Sequence, residues 1–148
     1  MNFVHLTTHS HASLLHASSK PQDLVDQAKK AGQSAIALTD YGTVSNAIHF
    51  YRAAKGVGIK PILGATVFFT ENNEEYRDQK IRQTRQLTLI AENDTGWRNI
   101  VRLVSEANRA ENFYFRPRID FKMLERHSEG VIAFVGGVGG ARHRDVPC

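Results

Sequence analysis

The sequence predicts an α/β protein built of strand–helix units, and two observations carry that reading. Short apolar runs end at polar or glycine-bearing turns, and stretches with helical apolar spacing lie between them. Phe3 to Leu6 reads as the first strand. A helix should follow, with Ser19 as its N-cap, Pro21 in its first turn, Leu24, Val25, Ala28 and Ala31 on its buried face, and Gly32 at its end. Ala35-Ile36-Ala37-Leu38 is continuously apolar, the pattern of a strand covered on both faces in a parallel sheet. The next helix is expected from Thr43 or Val44 to Lys55, packing Ala47, Ile48, Tyr51 and Ala54. Ile59–Leu63 and Val67–Thr70 read as a short strand region punctuated by Pro61 and Gly64, and the polar residues 71–85 as an exposed loop or short surface helix. Gln86–Ala91 gives a further strand, followed by a helix through Ile100, Leu103, Val104 and Ala107. Phe113–Arg118 should be extended, Asp120 should cap a short helix holding Met123 and Leu124, and Val131–Val135 should be the last strand.

Composition limits the functions open to such a chain. At 148 residues, 41% hydrophobic and 23% charged, it suits one globular domain. The formal net charge of +4 is spread along the chain, which permits a polyanionic partner without requiring one. The single cysteine, Cys148, leaves no internal disulfide and no paired-cysteine metal knuckle, and a reducing, cytoplasmic setting is expected. No apolar run approaches the ~18 residues of a membrane span.

In parallel α/β architectures chemistry sits at the C-terminal ends of strands, which directs attention to residues 7–16, 40–43, 64–66, 91–95 and 135–140. Four of the seven histidines, His5, His9, His11 and His16, lie around the first of these, as at the start of a metal site. Against that stands the bland alternative of loop histidines, because acidic and cysteine partners are scarce downstream. Asp40 after the apolar run is expected to be a turn or cap residue rather than a carboxylate supporting a ligand. Arg116-Pro117-Arg118 with Phe113, Tyr114 and Phe115 suits contact with nucleic acid or another subunit, or equally a connector whose rings cover the core. Gly136-Gly137-Val138-Gly139-Gly140 lacks the Lys-Ser or Lys-Thr of a phosphate cradle and reads as a flexible turn.

The register of several pieces resembles a known family. Phe3-Val4-His5-Leu6, Ser13-Leu14-Leu15, Ala37-Leu38-Thr39-Asp40, Gly58-Ile59-Lys60-Pro61-Ile62-Leu63-Gly64, Thr95-Gly96-Trp97-Arg98-Asn99 and Arg116-Pro117-Arg118-Ile119-Asp120 are collinear with one such domain. It is the N-terminal PHP (polymerase and histidinol phosphatase) domain of the bacterial replicative DNA polymerase III alpha subunit. The resemblance implies a (β/α)7 barrel, of which residues 1–140 would supply about five units, leaving an edge that a barrel would close and a divergent tail at 141–148. Such an edge implies either a fragment of a longer protein or pairing with another chain, and the altered tail fits a premature end.

The resemblance also implies where metal ligands belong, in a site that holds up to three ions in members that hydrolyse phosphoesters. Thr7 stands at the first histidine of the family's His-x-His and His9 at the second, and His16-Ala17 replaces an Asp-Gly, making His16 a substitute ligand. Tyr41, Thr66, Gln86 and Gly137 occupy further ligand positions without the family's donors. With His9 and His16 as the metal candidates, the expected state is a metal-free site, zinc or manganese being the alternatives. The implied function is a structural segment of the polymerase, working with its remaining domains, docking the proofreading exonuclease subunit and meeting DNA through the full-length protein. A metal-dependent phosphoesterase or 3′–5′ exonuclease, and a short mimic of the alpha subunit, are the competing readings.

Overall fold

The computed structural model describes residues 3–134. Helix α1, Pro21–Lys30, begins at Lys20 rather than Ser19: the Lys20 backbone N–H donates to the Asp23 carboxylate at 3.2 Å, and Pro21 takes the first helical position, where no N–H is needed. Strand β1, Ala35–Leu38, is buried at all four positions. Helix α2 spans Ala47–Gly56 and strand β2 spans Lys60–Phe69, one unbroken ten-residue strand where a short, punctuated region was expected. The surface helix α3 covers Asn73–Asp78, strand β3 Arg85–Ala91 and helix α4 Asp94–Ala107. The hairpin strands β4 (Phe113–Tyr114) and β5 (Arg116–Ile119) lead into helix α5, Phe121–Arg126, which Asp120 caps as expected by accepting from Met123 N–H at 3.0 Å. Strand β6, Val131–Phe134, ends the described chain, and the glycine run 136–140 lies outside the described residues.

Six strands form one mixed sheet organised by β2. Its first half runs parallel to β1, from Ala35 opposite Lys60 to Leu38 opposite Leu63, and its last residues run parallel to β5, with Phe68 opposite Arg118. Strand β3 is antiparallel to β2, from Gly64 opposite Ile90 to Phe69 opposite Arg85, and β6 is antiparallel to β3. The α/β class therefore holds, and the sheet is consistent with part of a barrel, but β3 interrupts the parallel pattern. Periodicity reports which faces of a strand are buried; it carries no information on direction. Pro61 is tolerated because Lys60 N–H bonds Ser34 O, so the next residue's missing donor faces away from β1, where β3 has not yet begun to pair. Residues 3–6 do not form a ladder strand. They touch β1 through a single parallel bridge, His5 to Ile36, with Ala37 N–H bonding His5 O at 2.8 Å.

Two apolar clusters hold the elements. One joins Val25 and Ala28 of α1, Ile36 and Leu38 of β1, Phe50 and Ala54 of α2, and Ile59. The other packs Ile100, Leu103, Val104 and Ala107 of α4 on Val67, Phe69, Leu87, Leu89 and Ile119. These α4 positions repeat at helical spacing, and burial of each Leu or Ile contributes about 1.5–3 kcal/mol. The face of α2 differs from expectation. Phe50 is buried between Ala47 and Ala54, whereas Ile48 is 64% and Tyr51 45% exposed, because α2 meets α1 and β2 along the 47–50–54 stripe.

The start of α4 is fixed by a close backbone crossing. A Cβ on Gly96 would lie 1.7 Å from the Gly130 carbonyl oxygen, and that carbonyl accepts from Glu92 N–H at 2.9 Å, so neither side can retreat. Gly96→Ala should lower the unfolding free energy by about 3 kcal/mol. Gly56→Ala, at the end of α2 with open space around the added methyl, should raise it by about 0.5–1 kcal/mol. Urea unfolding of the two variants checks both.

Candidate functional site

The first βα junction is organised by Asp40. This carboxylate is 1% exposed and accepts from Ser10 N–H, Ser10 Oγ and Ser13 Oγ, each at 2.6 Å. The two hydroxyls extend the network: Ser13 Oγ accepts from Tyr41 N–H at 3.0 Å, and Ser10 Oγ accepts from the Asn46 amide at 2.9 Å. A buried charge is tolerable only when hydrogen bonds satisfy it, and both Asp40 oxygens are used this way. Asp40 is therefore neither a helix cap nor a simple turn residue, since Asn46 stands at the N-cap of α2. It clasps loop 10–13 onto the end of β1. Ser10 and Ser13 were missed as functional positions; the available signal was a pair of hydroxyls three apart in a histidine-rich loop whose fold places it at a strand end carrying an aspartate.

The two metal candidates both reach Tyr41. The His9 ring stacks on Tyr41 at 4.3 Å and 21°, and the His16 ring tilts against the same tyrosine at 4.6 Å. Tyr41 in turn stacks on Phe68 at 6.0 Å. His9 Nδ1 donates to Thr39 O at 2.7 Å, which leaves Nε2 as its free lone pair. Burial pushes the His9 pKa below its ordinary value; the Thr39 hydrogen bond and Asp40 oppose this, and His16 adds to it. His16 itself is exposed. Of the other histidines in the opening cluster, His5 lies edge-on to Phe3 at 4.7 Å, and His11 Nε2 approaches only the Asn46 amide at 3.5 Å.

Thr66 and Gln86, two further positions that the resemblance marks for ligands, lie on the side of the sheet that carries Phe68. Thr66 forms a parallel bridge with Tyr41, and its hydroxyl lies 3.1 Å from that of Thr88 on β3. Gln86 stands opposite Phe68. Because β3 is antiparallel to β2, its beginning lies beside the C-terminal end of β2, and Gln86 stands opposite the Phe68 on which Tyr41 stacks. The same geometry sends residues 91–95 to the opposite end, so this segment, expected at the functional end, does not belong there. Gly137 and the rest of 135–140 lie outside the described residues. Among the described residues no group of three or more His, Cys, Asp or Glu side chains is placed to hold one metal ion, and no helix is long and apolar enough to cross a membrane.

Comparison with known proteins identifies the family and the fold. The family model of the PHP domain matches residues 5–144. DNA polymerase III subunit alpha of Borreliella burgdorferi is 41% identical over 140 residues, covering 93% of this chain and 12% of that protein. The subunit of the same name from Aquifex aeolicus is 37% identical over 146 residues, covering 94% of this chain and 12% of that protein. The chain thus spans only a small part of these relatives. Among solved structures, an amidohydrolase from Chromobacterium violaceum, with bound SO4 and no metal, superposes with a TM-score of 0.54 at 19% identity, covering 72% of this chain and 33% of that one. A Bifidobacterium adolescentis protein assigned to the metal-dependent phosphoesterases gives a TM-score of 0.50 at 17% identity, covering 70% and 32%. At such identities these two speak for the fold alone, and their partial coverage fits a partial barrel. The matched family model and the polymerase relatives together establish that this chain belongs to the PHP domain family, in the form related to that of the bacterial DNA polymerase III alpha subunit.

Proposed function

We propose that the chain is the N-terminal PHP segment of a replicative DNA polymerase III alpha subunit and acts there as a structural element with a degenerate metal site. The observation that carries this reading is the place of Tyr41: an aromatic ring lies against both candidate ligands, His9 and His16, where a further donor would be needed. The neighbouring carboxylate, Asp40, is fully engaged by Ser10 and Ser13. A multinuclear hydrolytic centre needs about three protein ligands per ion and carboxylates free to bridge, and this donor set does not fit one. No hydrolytic step is therefore assigned to these residues. Nucleotidyl transfer belongs to the remainder of the polymerase, and the proposed work of this segment is to support that body and to dock the proofreading exonuclease subunit.

Elemental analysis of protein purified without chelator should find zinc and manganese well below one equivalent. One equivalent or more, lost in His9→Ala, would overturn the structural reading in favour of a metal-dependent phosphoesterase. Pull-down with a proofreading exonuclease subunit should recover a complex, and its absence at micromolar concentrations would remove the docking role. Asp40→Ala, which strips three hydrogen bonds from a charged acceptor, should cost about 3 kcal/mol of stability by urea unfolding.

A further inference from the structure

The β4–β5 hairpin, with Arg82 from the segment before β3 and Phe68 of β2, concentrates unpaired positive charge on aromatic rings. Arg82 Cζ stands 3.9 Å from the Phe115 ring centroid, Arg116 Cζ 4.5 Å from that of Phe68 and Arg118 Cζ 5.0 Å from that of Tyr114. No acidic side chain pairs with any of the three among the described residues, in contrast to Arg85 with Glu71 and Arg126 with Glu106. Arg118 is only 1% exposed, yet its Nε, Nη1 and Nη2 lack hydrogen-bond acceptors among the described residues. A buried guanidinium with unmet donors is costly, so its presence calls for a reason other than stability. Phe113 and Phe115 meanwhile remain 46% and 58% exposed beside these cations. Phe115 is held at the turn with a φ of +62°, a conformation that disfavours a bulky ring.

We propose that this hairpin is a contact for single-stranded nucleic acid. The guanidiniums of Arg82 and Arg116 take backbone phosphates, the rings of Phe113 and Phe115 stack on bases, and Arg118 holds positive charge behind them. Single-stranded nucleic acid matches the surface because it offers a regular row of anions together with flat apolar faces, the two chemistries interleaved along this hairpin. An acidic peptide would use the charge and leave the exposed rings without flat partners.

Fluorescence anisotropy of a labelled thymidine oligonucleotide, titrated with the full chain, tests the assignment. Binding is expected with Kd on the order of micromolar at low salt, weakening with a log–log salt slope near −1.4 for two phosphate contacts. Arg116→Glu should weaken binding at least about tenfold and flatten that slope. Phe115→Asn should weaken it by about tenfold through lost stacking, and because Asn accepts positive φ, its melting temperature should not fall. Arg118→Met should weaken binding while raising the melting temperature, a combination that a purely structural arginine would not give. No anisotropy change at about 0.1 mM protein, a level that covers ordinary non-specific affinity, would overturn the proposal. So would affinity unchanged in Arg116→Glu and Phe115→Asn, or tighter capture of a polyglutamate peptide than of the oligonucleotide.

Discussion

Strand β2 is the constraint on which the remaining elements depend. Its ten residues carry the pairing with β1, β3 and β5, and its two halves face different apolar clusters. The first half completes the small core of α1, β1 and α2; the second forms the larger core under α4. Neither core contains enough of the other's elements to position it. The histidine-bearing loop, which rests on β1, and the hairpin, which rests on the far end of β2, are related through that strand and through the Tyr41–Phe68–Arg116 ring contacts beside it. Gly64 marks the hand-over, where a Cβ would meet the Leu89 carbonyl oxygen at 2.2 Å and force β3 away.

The antiparallel entry of β3 explains a peculiarity of this family's ligand pattern as it falls on this chain. Ligand positions at strand ends, as the resemblance places them, would ordinarily follow each apolar run, as Tyr41 and Thr66 do. Gln86 precedes its run, and only reversal of the strand lets it reach the same face. The face that results is aromatic and hydroxyl-rich, from His9 through Tyr41 to Phe68, with Thr66 and Thr88 sharing a hydrogen bond beside it. Side chains of this kind fill space and order a loop.

Much of this was legible in the sequence, and the failures have physical causes. The limits of β1, the Asp120 cap, the buried stripe of α4 and the position of the site loop follow from local patterns of burial and hydrogen-bonding capacity, which sequence records directly. The direction of β3 did not follow, because an apolar run looks the same whichever way it pairs. The α2 face was misassigned because Ile48 and Tyr51 are apolar residues left largely in solvent, and a short helix with apolar residues on several sides does not declare which stripe packs. Asp40 was underestimated because its partners lie about thirty positions earlier, where only the fold brings Ser10 and Ser13 to it.

That separation has a consequence for the order in which the molecule becomes structured. The Asp40 clasp closes a loop of 27 to 30 residues, and it cannot reward that closure until β1 has docked and α1 has folded back against it. The site loop is then a late addition to an already formed core. It is tied mainly by bonds to one side chain, and Leu14 and Leu15 point outward, at 79% and 105% exposed, contributing little burial of their own. Such a segment opens by itself at a free energy well below that of global unfolding. Amide exchange would separate the two events, with residues 10–16 exchanging through local opening while α4 and β3 stay protected.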